Sequence, residues 1–260
     1  MNPSAAYIFF LVIIFFQSNG LTLLASPVEV VHSSLFLKKK KQIIHLYQQK
    51  RYTKANALIE ELLPLVDDKL EGGELHFYQA YCKFYNKDYL SSSDQFHGYV
   101  KKYPCALQTE EAVFMRGYSL ACKDVDIRLD QKVTYDAIRC ISYYLTAYPT
   151  GTYIEQAQDA LQRLQSRLMR KDFAACCSYM QLGYWHAAVV TLKIFQQTYP
   201  DTLLKKEVLS LLVKSYRNLA METSNEADKQ KMKTYVEQFS KQLKSLSEAE
   251  NSSIIQQPSI

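Results

Sequence analysis

An aromatic stripe near residue 80 is the feature of this 260-residue sequence best suited to bind a ligand. Phe77, Tyr81, Phe84 and Tyr85 recur at i, i+4, i+7 and i+8, so on a helix they share one face. A tyrosine ring buries apolar area while its hydroxyl tolerates water. Such a stripe either packs in the core or lines a concave surface that suits an extended, apolar peptide. The spacing leaves both interpretations open.

Residue types that carry catalysis or bind metals are present, but not in the patterns that such chemistry needs. The five histidines are isolated, the six cysteines form no C-x-x-C pair, and no glycine-rich phosphate loop occurs. Acidic pairs such as Glu60-Glu61 and Glu110-Glu111 lie at helix ends or in loops, where solvated carboxylates are the simpler interpretation. We therefore predict that the protein is not an enzyme and that it has no cofactor and no metal site. The cysteines are interpreted as buried free thiols, with disulfides as the alternative if the chain is exported.

Composition limits the classes of partner. The net charge of +5 is modest, and no basic run is interleaved with aromatic residues, so nucleic-acid binding is not indicated. Hydrophobic residues make up 48% of the chain, which is ample for a continuous core. Seven glycines and seven prolines are few for an all-β fold rich in turns.

The stripe belongs to a repeated pattern of residues. Counted from Gly183, an aromatic residue stands at +2, a small residue at +5, large residues at +9 and +12, and a proline at +17. The same offsets recur from Lys87 and Lys132, and from Lys50 with an earlier proline. This order of turn, aromatic, small, large and proline resembles the tetratricopeptide repeat, a helix-turn-helix unit of about 34 residues. The wider spacing here predicts longer helices or insertions.

The repeats predict an all-α, tetratricopeptide-type solenoid over residues 35–246, with about ten helices in five pairs. The first helix is expected from Lys38 to about Gln49, and a polar loop from Asp67 to Gly73. An insertion, Lys123 to Asp130, interrupts the third pair, and residues 153–182 form either one long helix or two. The last pair lacks the aromatic and proline marks, as a capping repeat does.

The two ends of the chain differ from the repeat region. Residues 1–25 contain an uncharged apolar run, Ala5 to Phe16, which favours a secretory signal, with an uncleaved hydrophobic anchor as the alternative. Residues 26–34 are expected to form a linker, and residues 247–260 a disordered tail.

Five stretches together resemble the BamD family of outer-membrane assembly factors, in the form found in Bacteroidetes. They are RYTKANALIEELLPL (51–65), FYQAYCKFYNKDYLSSSDQF (77–96), TEEAVFMRGYSLA (109–121), RLDQKVTYDAIRCISYYLTAYPTG (128–151) and RKDFAACCSYMQLGYWHAAVVTLKIFQQTYPD (170–201). The LDQ triplet of residues 129–131 falls inside the insertion, where that family also departs from a plain tetratricopeptide repeat.

The resemblance implies a non-catalytic scaffold at the periplasmic face of the outer membrane. Such a protein would bind BamA, the barrel that inserts new β-barrels, and would help deliver unfolded barrel substrates, whose last strand ends in an aromatic residue. The aromatic stripe would then be a substrate groove. A basic set in the C-terminal half would dock BamA, with a solvated basic face as the alternative: Arg163, Arg167, Arg170 and Lys171.

One feature departs from the resembled family, whose members carry an acylated cysteine directly after the signal. The first cysteine here is Cys82, so we expect export without lipidation. Two other classes stay open on the sequence: another periplasmic tetratricopeptide adaptor, for example in cell division, and an intracellular adaptor with a membrane anchor.

Overall fold

The structure is a computed structural model that describes the backbone of residues 27–66 and 69–255, and the side chains of residues 35–66 and 72–248. Over these residues the chain forms ten α-helices and no strand, so the all-α prediction is confirmed. The apolar run Ala5 to Phe16 lies outside the described residues. In chain order the helices are α1 (Pro27–Gln48), α2 (Tyr52–Leu62), α3 (Lys69–Tyr85), α4 (Tyr89–Lys102), α5 (Thr109–Cys122), α6 (Lys132–Ala147), α7 (Ile154–Gln181), α8 (Trp185–Thr198), α9 (Lys205–Glu222) and α10 (Glu226–Ile255).

The repeat offsets correspond to the buried face of each second helix. Each helix packs against the next along the chain, which gives five antiparallel pairs. The residues at +5, +9 and +12 of the four marked repeats are all at most 2% exposed: Ala55, Ile59, Leu62, Ser92, Phe96, Tyr99, Ala137, Ile141, Tyr144, Ala188, Leu192 and Phe195. A small side chain at +5 lets the neighbouring helix approach, and the larger ones fill the space beyond it.

The turn inside three of these pairs has a left-handed residue at the first position of the pattern. Lys50, Lys87 and Gly183 have φ angles of 60°, 63° and 74°. The two hydrogen bonds of a Schellman motif close each turn; at Lys87 they run from Lys87 N to Phe84 O (2.9 Å) and from Asp88 N to Lys83 O (3.0 Å). Glycine adopts this conformation without strain, whereas the two lysines adopt it at a cost.

Helix α1 begins earlier than the sequence suggested, and α10 ends later. The expected linker at residues 26–34 is helical from Pro27, and the expected tail is helical to Ile255. A proline favours this start, because its fixed φ suits the first turn of a helix, where its missing N–H is not needed. Within residues 153–182 there is one helix of 28 residues, α7, rather than two.

The expected loop ending at Gly72-Gly73 was wrong in its second half, because α3 begins at Lys69. Tyr103 packs over both glycines. A Cβ at Gly72 would lie 3.3 Å from the Tyr103 hydroxyl, and one at Gly73 would lie 3.5 Å from its ring. The glycines therefore allow a side chain to approach the helix closely and do not mark a turn.

Candidate functional site

A groove of about 370 Å³ opens beside α3, between the end of α1 and the first turn of α5. Its aromatic lining is Tyr47, Phe77, Tyr78, Tyr81 and Tyr85. Its polar lining is Glu74, Gln108 and Glu111. Three of the four residues of the aromatic stripe thus line one open groove.

The fourth stripe residue, Phe84, does not line the groove and packs instead against the start of α4 and against α5. Its ring centroid lies 5.6 Å from that of Tyr89 and 6.1 Å from that of Tyr118, and the side chain is half-buried against the core. Phe77 and Tyr81 also contact the core, through edge-on contacts with Phe96 at 5.8 Å and 5.2 Å. Phe84 therefore packs in the core alone, whereas Phe77 and Tyr81 contact the core and also line the groove.

Glu111 is a charged groove residue that the sequence analysis did not assign to the groove. The hydroxyl of Tyr81 donates a hydrogen bond to Glu111 Oε1. The neighbouring Glu110 accepts hydrogen bonds from the Tyr144 hydroxyl (2.9 Å) and from the backbone N–H of Thr152 (2.7 Å). The expectation that this acidic pair is simply solvated was wrong, because both side chains are half-buried and bonded to the preceding or following repeat.

The position of the pair has a local explanation. Glu110 and Glu111 occupy the first turn of α5, where the positive end of the helix dipole favours a carboxylate. An adjacent acidic pair at a helix start was therefore a usable signal, but the tyrosine partners lie 30 and 34 residues away in sequence.

Burial keeps the tyrosine hydroxyls of this region protonated. Burial raises the pKa of Tyr81, and the hydrogen bond to Glu111 and the charge of that carboxylate raise it further. Burial and the charge of Glu111 also raise the pKa of Tyr153 to about 12. At neutral pH these hydroxyls are therefore neutral hydrogen-bond donors.

Five tyrosines form a connected cluster at the groove: Tyr47, Tyr52, Tyr78, Tyr81 and Tyr85. The Tyr47 ring makes edge-on contacts with Tyr52, Tyr78 and Tyr85 at centroid distances of 5.4, 5.1 and 6.0 Å. Tyr85 stacks on Tyr52 at 4.7 Å and on Tyr81 at 5.9 Å. Tyr85 is 46% exposed, so the cluster presents aromatic surface to solvent.

The basic set lies on α7, away from the groove, and its members have different environments. Arg163 is exposed and pairs with Asp159 on the same helix at 3.1 Å. Arg170 is exposed, with Nε donating to Ser166 O at 3.4 Å, and Lys171 is half-buried. These residues are placed on the surface, as a docking site or a solvated face would require.

Arg167 instead holds the inserted segment, Lys123 to Asp130. Its Nη1 donates to the carbonyl of Lys123 at 3.1 Å and approaches Thr134 Oγ1 at 3.5 Å. Lys123 is the C-cap of α5, so a cation here also meets the negative end of that helix. Gln131 lies on the other side of the segment, is fully buried, and donates to Asp126 O and Leu129 O at 2.8 Å and 3.1 Å.

The described part of the chain has neither a membrane-spanning helix nor a cluster of metal-binding side chains. No helix there is both long and apolar enough to cross a membrane. No group of three or more His, Cys, Asp or Glu side chains among residues 35–66 and 72–248 is arranged to hold a metal ion.

The fold and the groove define a class: a helical-repeat protein that presents an aromatic groove, as binding scaffolds do. A family model described as outer membrane lipoprotein, YfiO, matches residues 41–232, and the chain belongs to this family. Over 88 residues the chain is 33% identical to the outer membrane protein assembly factor BamD of Vibrio cholerae serotype O1. That match covers 34% of this chain and 36% of the relative, about a third of each protein. The resemblance inferred from the sequence is confirmed.

Proposed function

We propose that this chain is a non-catalytic scaffold subunit of the machinery that assembles outer-membrane β-barrels. It binds a BamA-type barrel protein and helps deliver unfolded barrel substrates at the periplasmic face of the outer membrane. The family match over residues 41–232 carries this proposal, and the similarity to an assembly factor supports it.

The groove is the proposed substrate site. Its volume of about 370 Å³ lies within the range of ligand pockets and has room for one or two side chains of an extended segment. Phe77 and Tyr81 are held in place by the core, which limits the entropy lost on binding, and the exposed Tyr85 offers ring surface.

The surface of α7 is the proposed docking site for the BamA-type partner. Arg170 is exposed and makes a weak backbone contact, so its charge is available to a partner. Arg167 is engaged with the Lys123 carbonyl, so its substitution would disturb the fold and the interface together. Substitution of Arg170 therefore tests the interface with less disturbance of the fold than substitution of Arg167.

The proposed location does not depend on acylation of Cys82. This first cysteine is fully buried in α3, and burial raises the pKa of its thiol to about 12, so it is neither accessible nor nucleophilic. Export without lipidation stays a prediction, and labelling cells with a fatty-acid probe tests it.

Co-purification from detergent-solubilised membranes tests the proposed function. The tagged chain should retain the BamA-type protein of its own organism, detected by mass spectrometry. Arg170→Glu should weaken this association, whereas Arg139→Glu on exposed α6 surface should leave it unchanged. Absence of the BamA-type protein from the wild-type complex would contradict the proposal, and equal retention by both variants would remove Arg170 from the interface.

A further inference from the structure

The groove carries negative charge that its lining does not neutralise. Glu74 and Glu111 are the carboxylates of the lining, which includes no Lys, Arg or His. Glu74 forms an ion pair with Lys40 at 2.5 Å. Glu111 meets the hydroxyls of Tyr81 and Tyr153, which are neutral donors. One uncompensated negative charge therefore stays at the Glu111 end of the groove.

The aromatic lining reinforces the preference for a positive ligand. The face of a tyrosine ring is electron-rich and attracts a cation placed over it. Tyr81 and Tyr85 stack on each other at 5.9 Å beside Tyr47, and they lie in the same groove as Glu111. A carboxylate and several ring faces around one open space match a guanidinium or an ammonium group.

We propose that this groove recognises an arginine or lysine side chain of an extended peptide, with an apolar or aromatic neighbour seated against Phe77. The inference rests on the proposed function, because it takes the groove as the substrate site, and it adds the charge class of the ligand. Arginine fits better than lysine, because its planar guanidinium can stack on tyrosine and bond a carboxylate through two N–H groups.

The same charge excludes an anionic ligand. A terminal carboxylate in the groove would face Glu111 across a partly buried space, where like charges repel more strongly than in water. The segment that binds is therefore an internal one with a basic residue, and the terminal carboxylate of a substrate stays outside the groove.

Matched peptides test this inference on the full chain. Three fluorescent peptides, blocked at both ends and identical except for Arg, Gln or Glu beside a phenylalanine, are titrated by anisotropy. We expect the Arg peptide to bind roughly tenfold more tightly than the Gln peptide and the Glu peptide to bind most weakly. Higher salt should reduce the Arg advantage.

Glu111→Gln isolates the charge, because the amide keeps the shape and an acceptor for Tyr81. The variant should lose most of the preference for the Arg peptide over the Gln peptide and keep only the part that the tyrosine rings supply, and its affinity for the Gln peptide should stay unchanged. Glu155→Gln, at an exposed carboxylate on α7, is the control and should behave as wild type. If thermal melts show that Glu111→Gln is unfolded, Tyr85→Ala serves instead and should weaken the Arg peptide.

The outcomes separate the inference from the proposed function. Equal binding of all three peptides to wild type would overturn the charge selection and leave a substrate groove in place. If free arginine amide displaced the fluorescent Arg peptide as strongly as the unlabelled Arg peptide does, the proposal that the ligand is a peptide would be overturned. Binding of no peptide, together with retained BamA-type protein in the co-purification, would overturn the groove as a substrate site and leave the scaffold role.

Discussion

At the scale of single residues, Tyr81 shows how one side chain serves both the core and the groove. Its ring packs edge-on against Phe96 at a centroid distance of 5.2 Å, and its hydroxyl bonds Glu111 on α5. Phe84 and Tyr85, further along the same stripe, divide these roles between them. Phe84 packs against the core, whereas Tyr85 is 46% exposed.

Alanine substitutions at Phe84 and Tyr85 should therefore affect different properties, the first mainly stability and the second mainly peptide binding. Phe84→Ala should lower the free energy of unfolding by roughly 2–4 kcal/mol, near the lower end for buried phenylalanine because the side chain is half-buried. Tyr85→Ala should cost under about 1 kcal/mol and weaken peptide binding. Urea denaturation and anisotropy measure the two effects. Equal losses of stability would show that Tyr85 is a packing residue.

Alkaline pH should destabilise the fold through its buried tyrosines. Burial raises the pKa of Tyr144 to about 12, above the value of about 10 in an unfolded chain. Between these values the unfolded state releases the proton first, so the stabilisation present below about pH 10 is lost as the pH rises through about 12. Tyr144→Phe lacks this proton, so the stability advantage of wild type over this variant should shrink with pH. A constant difference in urea denaturation would contradict the assignment.

At the scale of helices, the sequence was informative where the contacts are local and periodic. The offsets from Gly183 identified the second helix of the first four pairs, because residues three and four apart share a face. The same reasoning wrongly placed Gly72 and Gly73 in a loop. The structural reason for these glycines is the ring of Tyr103, which packs over them from about 30 residues further along the chain. The same reasoning also missed Glu111, whose partner Tyr81 is equally distant. Lysine carries no turn signal, so the positive φ of Lys87 was not predictable from its type.

Removing the strain at Lys87 should stabilise the turn between α3 and α4. A non-glycine residue in the left-handed conformation costs about 1–2 kcal/mol. Glycine removes this strain, but part of the gain in stability is lost because glycine has greater conformational freedom in the unfolded chain. Lys87→Gly should therefore raise the free energy of unfolding by roughly 0.5–1 kcal/mol. Lys101→Gly, within α4, is the control and should lower it by about 1 kcal/mol. A loss of stability at both positions would contradict the strain at Lys87.

Arg167 should act as a structural residue of the inserted segment. Arg167→Met keeps much of the side-chain volume but removes the hydrogen bond to Lys123 O, and we expect a cost of roughly 1–3 kcal/mol. Arg163→Met, at an exposed ion pair, should cost under about 1 kcal/mol. Hydrogen exchange should speed up at residues 123–131 in the first variant alone. Unchanged hydrogen exchange at these residues would show that Arg167 does not hold the segment, and Arg167 would again be a candidate docking residue.

At the scale of the whole molecule, the two proposed sites lie on different repeats. The groove is built by α1, α3 and α5, whereas the basic surface lies on α7. In a helical array each pair contacts its neighbours, so stability is close to a sum of local terms. The family assignment follows from residues spread along this array, whereas the ligand of the groove depends on contacts between repeats that no single stretch of sequence contains.

The separation of the sites predicts that their functions can be lost independently. Tyr85→Ala with Glu111→Gln should abolish selective binding of the Arg peptide and leave co-purification of the BamA-type protein intact. Arg170→Glu should do the reverse, because Arg170 lies on α7, which contributes no residue to the groove lining. Adding Arg170→Glu to the Tyr85→Ala, Glu111→Gln variant should give a loss of stability within about 0.5 kcal/mol of the sum of the two parents' losses, because Arg170 shares no partner with Tyr85 or Glu111. Loss of both activities in either parent variant would mean that the two surfaces form one binding site.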